Sequence, residues 1–183
     1  MIVLVLGLDP TATGSGAAVL RDGPDVCRWW VWTRLKAGWR VRGPGDAYAY
    51  MSMEPHLAAV AGRGAHEAGW AAARVLVLEG LEPPRVPGRR SMRSTRELIA
   101  LAEAAGETLG PLRAWATEVR RPTATEWRRA AGLGALAGDR AEDAAVGVAR
   151  REGWLPRGLT VEEEGAVAEA GLMASYPGGG VQK

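Results

Sequence analysis

Three acidic positions stand where an oxygen-bound cation could be held. Asp9 follows the apolar run Ile2–Leu8, and Glu79 follows a second run, Val75–Leu78. In open α/β sheets, ligands gather beyond the carboxyl ends of the strands. If these two strands are neighbours, a spacing of about 4.8 Å brings both carboxylates within reach of one divalent ion. The competing reading is that both acids only cap turns. The third position lies in residues 158–169, which carry Glu162, Glu163, Glu164 and Glu169 and no basic residue. Glu162 and Glu169 share one helix face, about 10 Å apart along the axis. The helix macrodipole alone accounts for acids in a first turn, so Glu162, Glu163 and Glu164 need no chemistry. Glu169 stands among Ala166, Ala168, Ala170, Leu172 and Met173. A lone carboxylate there is expensive unless it is paired or metal-bound. On this reading Glu169→Gln stabilises the metal-free protein, because it removes repulsion from Asp9 and Glu79.

Other chemistries find little support. Cys27 is the single cysteine, and His56 and His66 are the only histidines. They cannot form an intrachain disulfide or a structural zinc site. Any metal must therefore sit on carboxylates. The lone cysteine fits a reducing compartment, and a cytoplasmic location is expected. No apolar stretch approaches the roughly 20 residues of a membrane span, and Ile2–Leu8 lacks the basic flank of a signal peptide. The net charge is only +2, yet every basic residue except Lys36 and Lys183 is an arginine. Arg85, Arg89, Arg90, Arg93 and Arg96 crowd one acid-free stretch before a helix start. Such a stretch suits a phosphate backbone, although a solvated charge run has the same composition. Trp29, Trp30 and Trp32 read as core and dimer-surface residues.

The elements that must position these groups follow from hydrophobic period and turn chemistry. Ile2–Leu8, Gly16–Arg21 and Val26–Thr33 read as an antiparallel meander, residues 38–45 as loop, and Asp46–Gly69 as a broken helix. Val75–Leu78 is a buried strand. Ser94 and Glu97 form a capping box for a helix to about Leu109, and residues 112–119 suggest a fifth strand. Thr123–Ala131, Asp139–Glu152 and Thr160–Tyr176 read as helices, the last with a capping box of Thr160 and Glu163. The expectation is one domain over 1–176 with a tail at 177–183. Its sheet is mixed and five-stranded, with helices on both faces.

Several segments in order resemble the RuvC-type Holliday junction resolvases. Val5-Leu-Gly-Leu-Asp-Pro10 with Gly14-Ser-Gly-Ala-Ala18 looks like that family's first strand and turn, and Val75–Glu79 like its second acidic strand. Arg121–Arg129, Gly132-Leu-Gly134 and Gly138-Asp-Arg140 resemble the phage-type members, as does Arg150–Pro156. The resemblance spans roughly residues 3–175. It implies an RNase H-like fold, a homodimer, and Mg²⁺- or Mn²⁺-dependent cutting of four-way DNA junctions with two ions. Asp9 and Glu79 match the family's first two metal carboxylates, and Arg140 matches a basic residue that faces DNA. The last helix departs from the pattern, since the family presents two aspartates three residues apart before Ala-Leu-Ala. Here Glu169 precedes Ala170, and the position three earlier is Ala166. Glu169 with Glu162 is the expected remainder of the metal set, with Glu163 and Glu164 as substitutes if the helix is shifted.

Two other functions compete. A non-catalytic junction-binding protein would keep the basic surface around a degenerate site. A sugar-kinase-like ATPase would use Gly7-Leu-Asp9 and residues 11–16 as a phosphate turn, but those enzymes need two such domains. No Walker lysine follows the glycines, so a P-loop is excluded.

Overall fold

β-Branched and leucine-rich runs build the centre of a seven-stranded sheet in the order β5-β4-β3-β2-β1-β6-β7. The computed structural model describes residues 3–11, 13, 15–22, 25–36, 38–43, 46–50, 73–80, 95–113, 116–134, 136 and 138–177. The strands are β1 (Val3–Pro10), β2 (Gly16–Asp22), β3 (Asp25–Leu35), β4 (Gly38–Gly43), β5 (Asp46–Tyr50), β6 (Ala73–Leu78) and β7 (Glu118–Arg120). Among the described residues the helices are α1 (Thr95–Arg113), α2 (Ala124–Ala130), α3 (Asp139–Arg151) and α4 (Val161–Ala174). Strands β1 to β5 form an antiparallel meander, while β6 runs parallel to β1 and β7 parallel to β6. No helix among the described residues is long and apolar enough to cross a membrane.

Helices cover both faces of this mixed α/β sheet. On one face Leu6, Leu8, Leu20, Trp30, Trp32, Leu76 and Leu78 pack with Leu112 of α1. On the other, Val75 and Val77 meet Trp127 of α2, Ala145 and Ala149 of α3, and Ala168 and Leu172 of α4. Ala17, Val19 and Val31 meet Val167 and Ala170 of α4 on that same face. Period-2 alternation therefore sends Val5, Gly7 and Asp9 of β1 toward α4.

The sheet has two more strands than expected. Residues 38–43 pair with β3 (Val41 opposite Trp32), so the expected loop is strand. Between its glycines, Trp39-Arg40-Val41-Arg42 has strand alternation. Residues 46–50 continue the meander as β5 instead of opening a helix (Val41 opposite Tyr48). The remainder of that predicted helix, with Ser94 and residues 178–183, lies outside the described residues. The strand expected over 112–119 shrinks to Glu118–Arg120. Leu112, fully buried against the sheet, belongs to α1 instead. Both Trp30 and Trp32 are core residues, and Trp29 packs partly buried against the α4 side.

The sharpest packing constraint is at Gly7. A Cβ there would run into the carbonyl of Ala170 and come 2.8 Å from the backbone nitrogen of Ala174. Neither atom can give way without moving α4. Gly7→Ala is expected to cost about 2–3 kcal/mol in denaturant unfolding, as overpacking does. Gly106→Ala, on α1 with nothing within 4 Å of the added carbon, should instead stabilise by about 0.5–1 kcal/mol.

Candidate carboxylate centre

The turn after β1 is braced by its own small polar residues. Thr11 closes the turn on itself, its N–H and its hydroxyl both donating to the Ser15 carbonyl at 2.8 and 2.9 Å. Gly16, buried behind this turn, leaves no room for a side chain between Pro10 and the Trp32 ring, whose Cζ2 would lie 2.7 Å from a Cβ. The result fixes Asp9 at the strand end, half-buried and facing α4.

Glu79 lies one residue beyond the last β1–β6 register pair, Leu8 with Leu78, and on the same face as Val75 and Val77. The two carboxylates therefore sit at equivalent positions on adjacent parallel strands, the neighbour relation that a shared ion would require. Gly80 follows and donates its N–H to the Pro122 carbonyl at 2.8 Å, which ties the end of β6 to the segment leading into α2. There a capping box of Thr123 and Glu126 starts the helix. Its fully buried Trp127 donates Nε1–H to Glu79 Oε2 at 3.0 Å.

Helix α4 starts at the expected capping box. The Glu163 N–H donates to Thr160 Oγ1 at 3.3 Å and the Thr160 N–H to Glu163 Oε2 at 2.8 Å. The four acids of this helix then separate by role. Glu163 also pairs with Arg42 of β4, and Glu164 with Arg150 of α3 at 2.6 Å. Glu162 and Glu169 line one cleft with Asp9, together with Glu163, Thr11, Thr13, Ser15, Thr33 and Trp32. The cleft measures about 340 Å³. Glu79 and Glu164 do not line it.

Glu169 is not a lone carboxylate. Arg128 of α2 brings Nη2 to 3.8 Å from Glu169 Oε1, with side-chain exposures of 14% and 16%. Helix α2 thus reaches two acids at once, Glu79 through Trp127 and Glu169 through Arg128. The expectation that only like charges surround Glu169 fails, because the cation that relieves it comes from a distant segment.

Glu142 escaped the sequence reading. It stands in the first turn of α3, where acids are read as macrodipole partners. In the fold it lines the Asp9 cleft and lies directly over Gly165 of α4, where a Cβ would come 2.6 Å from its Cγ. The signal was a glycine in the first half of an otherwise good helix, opposite an acid on its neighbour. Desolvation first, then the charges of Asp139, Asp143 and Glu162, push its carboxyl above the ordinary 4.5.

The donor set is oxygen only, which suits a hard divalent cation such as Mg²⁺ or Mn²⁺ and not a thiolate- or imidazole-seeking metal. Several carboxylates on one open cleft fit such an ion. Among the described residues, however, no three acids, histidines or cysteines are gathered tightly enough to form a ready-made cluster. Arg140 lies elsewhere, exposed beside a second cleft with Leu133, Leu136, Asp143 and Arg151. Arg96 is exposed near the start of α1, whereas Arg85, Arg89, Arg90 and Arg93 lie outside the described residues.

No protein-family profile matches the sequence, and no curated protein matches it. Among solved structures, the chain is similar to T. thermophilus RuvC in complex with Holliday junction substrate. That match has 14% identity and a TM-score of 0.45, and covers 95% of this chain and 94% of that one. A second structure of Thermus thermophilus RuvC matches at 14% identity and a TM-score of 0.45, covering 95% of each chain.

Two outcomes follow from these charges. A carboxyl raised by folding keeps its proton where the unfolded chain has lost it, so its contribution to stability declines as pH rises above 4.5. Glu142→Gln is neutral throughout, so its melting temperature should exceed that of the parent by a margin that grows from pH 4 to pH 7. Glu169→Gln has the opposite sign to the sequence expectation. In a chelator at pH 7 it loses the Arg128 pair, and should lower stability by about 1 kcal/mol, or roughly 2–4 °C.

Proposed function

We propose that the protein is a divalent-metal-dependent endodeoxyribonuclease that cuts four-way DNA junctions by phosphodiester hydrolysis. The observation that carries this reading is the meeting of Asp9 at the end of β1 with Glu169 and Glu162 of α4 in one open cleft, with Glu79 beside Asp9 in register. The order of the resolvase-like segments in the sequence supports it independently. Asp9, Glu79, Glu169 and Glu162 would hold Mg²⁺ or Mn²⁺, two ions in the full site. When bound, such ions activate a water and stabilise the departing 3′ oxygen.

The chain's own residues have distinct tasks in this reading. Asp9, on a strand braced on both sides, provides the rigid carboxylate around which the others are arranged. Trp127 restrains the rotamer of Glu79 by donating to one of its oxygens. Thr11, Thr13 and Ser15 give the rim hydroxyls suited to phosphate oxygens. Arg85, Arg89, Arg90, Arg93, Arg96 and Arg140 would contact the DNA backbone, positioning it without reading bases. A homodimer would present two such sites to the two-fold symmetric arms of a junction, in a cytoplasmic setting.

A second reading has an observation in its favour. Arg128 already pairs with Glu169, and among the described residues no three acids, histidines or cysteines form a ready-made metal cluster, as in a junction-binding protein that has lost catalysis. Asp9→Asn separates the two. For a nuclease it should reduce junction cleavage in Mg²⁺ and in Mn²⁺ by about a thousandfold or more, while junction binding survives or tightens. Parent protein that binds junctions and cuts none in either metal would establish the binding reading. Cleavage by Asp9→Asn at the parent rate would remove Asp9 from the site.

A further inference from the structure

We propose that Arg128 is an exchangeable counter-cation of Glu169 in the carboxylate cleft, holding it until a divalent ion takes that carboxylate and then turning its freed guanidinium to a DNA phosphate. This inference rests on the metal-dependent reading above and adds an order of events to it.

The geometry is that of an exchangeable pair. The Arg128 Nη2 to Glu169 Oε1 distance of 3.8 Å is within ion-pair range but well beyond the roughly 2.7–2.9 Å of a charge-assisted hydrogen bond. Attraction holds the two groups together without the bidentate bonding that would lock them. The Arg128 Nε is buried and has no hydrogen-bond partner, so the guanidinium keeps an unmet donor. Its carbon lies 5.1 Å from the centre of the Trp127 ring, and Trp127 is anchored in turn by Glu79. The ring gives the cation a surface on which to remain when Glu169 leaves. A guanidinium has five donors in a planar fork, and a phosphate oxygen is the partner that fork fits best after a carboxylate.

One carboxylate cannot fully satisfy both a guanidinium and a divalent ion. Binding of the ion to Glu169 must therefore weaken the Arg128 pair. Metal binding then creates an anion-binding group at the cleft that is masked in the metal-free protein.

The test uses the full chain with Arg128→Gln and Arg128→Lys, both checked for folding by circular dichroism and melting in a chelator. Mn²⁺ binding without DNA is measured by the electron paramagnetic resonance of the free ion. Arg128→Gln should bind Mn²⁺ about fivefold more tightly than the parent, the effect of roughly 1 kcal/mol of lost competition. Arg128→Lys, which keeps the charge, should stay within about twofold. Junction binding is then measured against salt in Ca²⁺ and in a chelator. In Ca²⁺ the log–log salt slope of Arg128→Gln should fall short of the parent's by about 1, and in chelator the two slopes should coincide. In the parent protein itself, the Arg128 Nε–H resonance should shift on addition of Mg²⁺, which needs no variant to fold. Parent-like Mn²⁺ affinity in Arg128→Gln, equal slopes in Ca²⁺, or an unmoved resonance would each overturn the proposal. If parent protein shows Mn²⁺ binding that Asp9→Asn removes, those results reject this inference alone. If parent and Asp9→Asn bind Mn²⁺ alike, the metal-dependent function fails with it.

Discussion

The close approach of α4 to β1 is the constraint from which the centre is built. Gly7 lets the helix backbone at Ala170 and Ala174 come down onto the strand. Around that point α4 presents Val167, Ala168, Ala170 and Gly171, all small or β-branched and all buried. Ala and Gly give little apolar area, so the contact is tight because its residues are small, not because they fill a large volume. Arg21 secures the far end. It is 5% exposed, donates to the Gly171 carbonyl at 3.2 Å and to Ser175 Oγ, and lies against the Trp154 ring. A helix end presents carbonyls without partners, and a buried cation there satisfies some of them. Glu169 belongs to the same turn as Ala170, so the anchoring that seats the helix also sets the height of its carboxylate above Asp9.

Three arginines make so acidic a helix tolerable. Arg42 meets Glu163, Arg150 meets Glu164 and Arg128 meets Glu169, each from a different element. The first two pairs lie along the helix start, where they join α4 to β4 of the sheet and to α3. They contribute orientation more than energy, since partly exposed pairs are worth about 0–1 kcal/mol. Glu162 and Glu169 line the cleft with Asp9, and Glu163 reaches it as well while paired to Arg42. Glu142 has the reverse situation. It is brought in from α3 out of water and toward other acids, and its raised carboxyl records burial first and the neighbouring charges second. Local conflict of this kind is what a site that concentrates negative charge produces.

The sequence made the central strands legible because β1 and β6 are buried on both faces and therefore read as unbroken apolar runs. That Asp9 and Glu79 end neighbouring strands was conditionally legible: each acid stops such a run, and parallel neighbours in register align their ends. The capping box at Thr160 and Glu163 was equally plain, since it depends on two side chains three residues apart. The outer meander was not. In β4 the alternating residues are Trp39, Arg40, Val41 and Arg42, bounded by glycines, and arginines at alternate positions look like loop charge until a neighbouring helix is known to need them. Arg42 has such a purpose, reaching Glu163 and, at 3.1 Å, the Gly158 carbonyl. The environment of Glu169 was illegible for a different reason. Arg128 lies 41 positions earlier, and no periodicity links a residue on one helix to a carboxylate on another.

Helix α2 shows why such pairings matter more than any single acid. It is seven residues long, too short to be stable through its own hydrogen bonds. Its place depends on Trp127, which is completely buried among Val75, Val77 and Met173 yet must find an acceptor for its indole N–H. Glu79 is that acceptor. Core packing therefore determines the position of α2, and the one polar atom of the packed ring determines the orientation of Glu79. Because Arg128 is the next residue in the helix, the same ring also fixes where this partner of Glu169 can stand. Hydrophobic burial thereby sets the separation between two acids and a base that have no contact with one another in the sequence. A change in the volume of Trp127 would be felt at both carboxylates at once, although the residue itself neither binds an ion nor reaches the cleft.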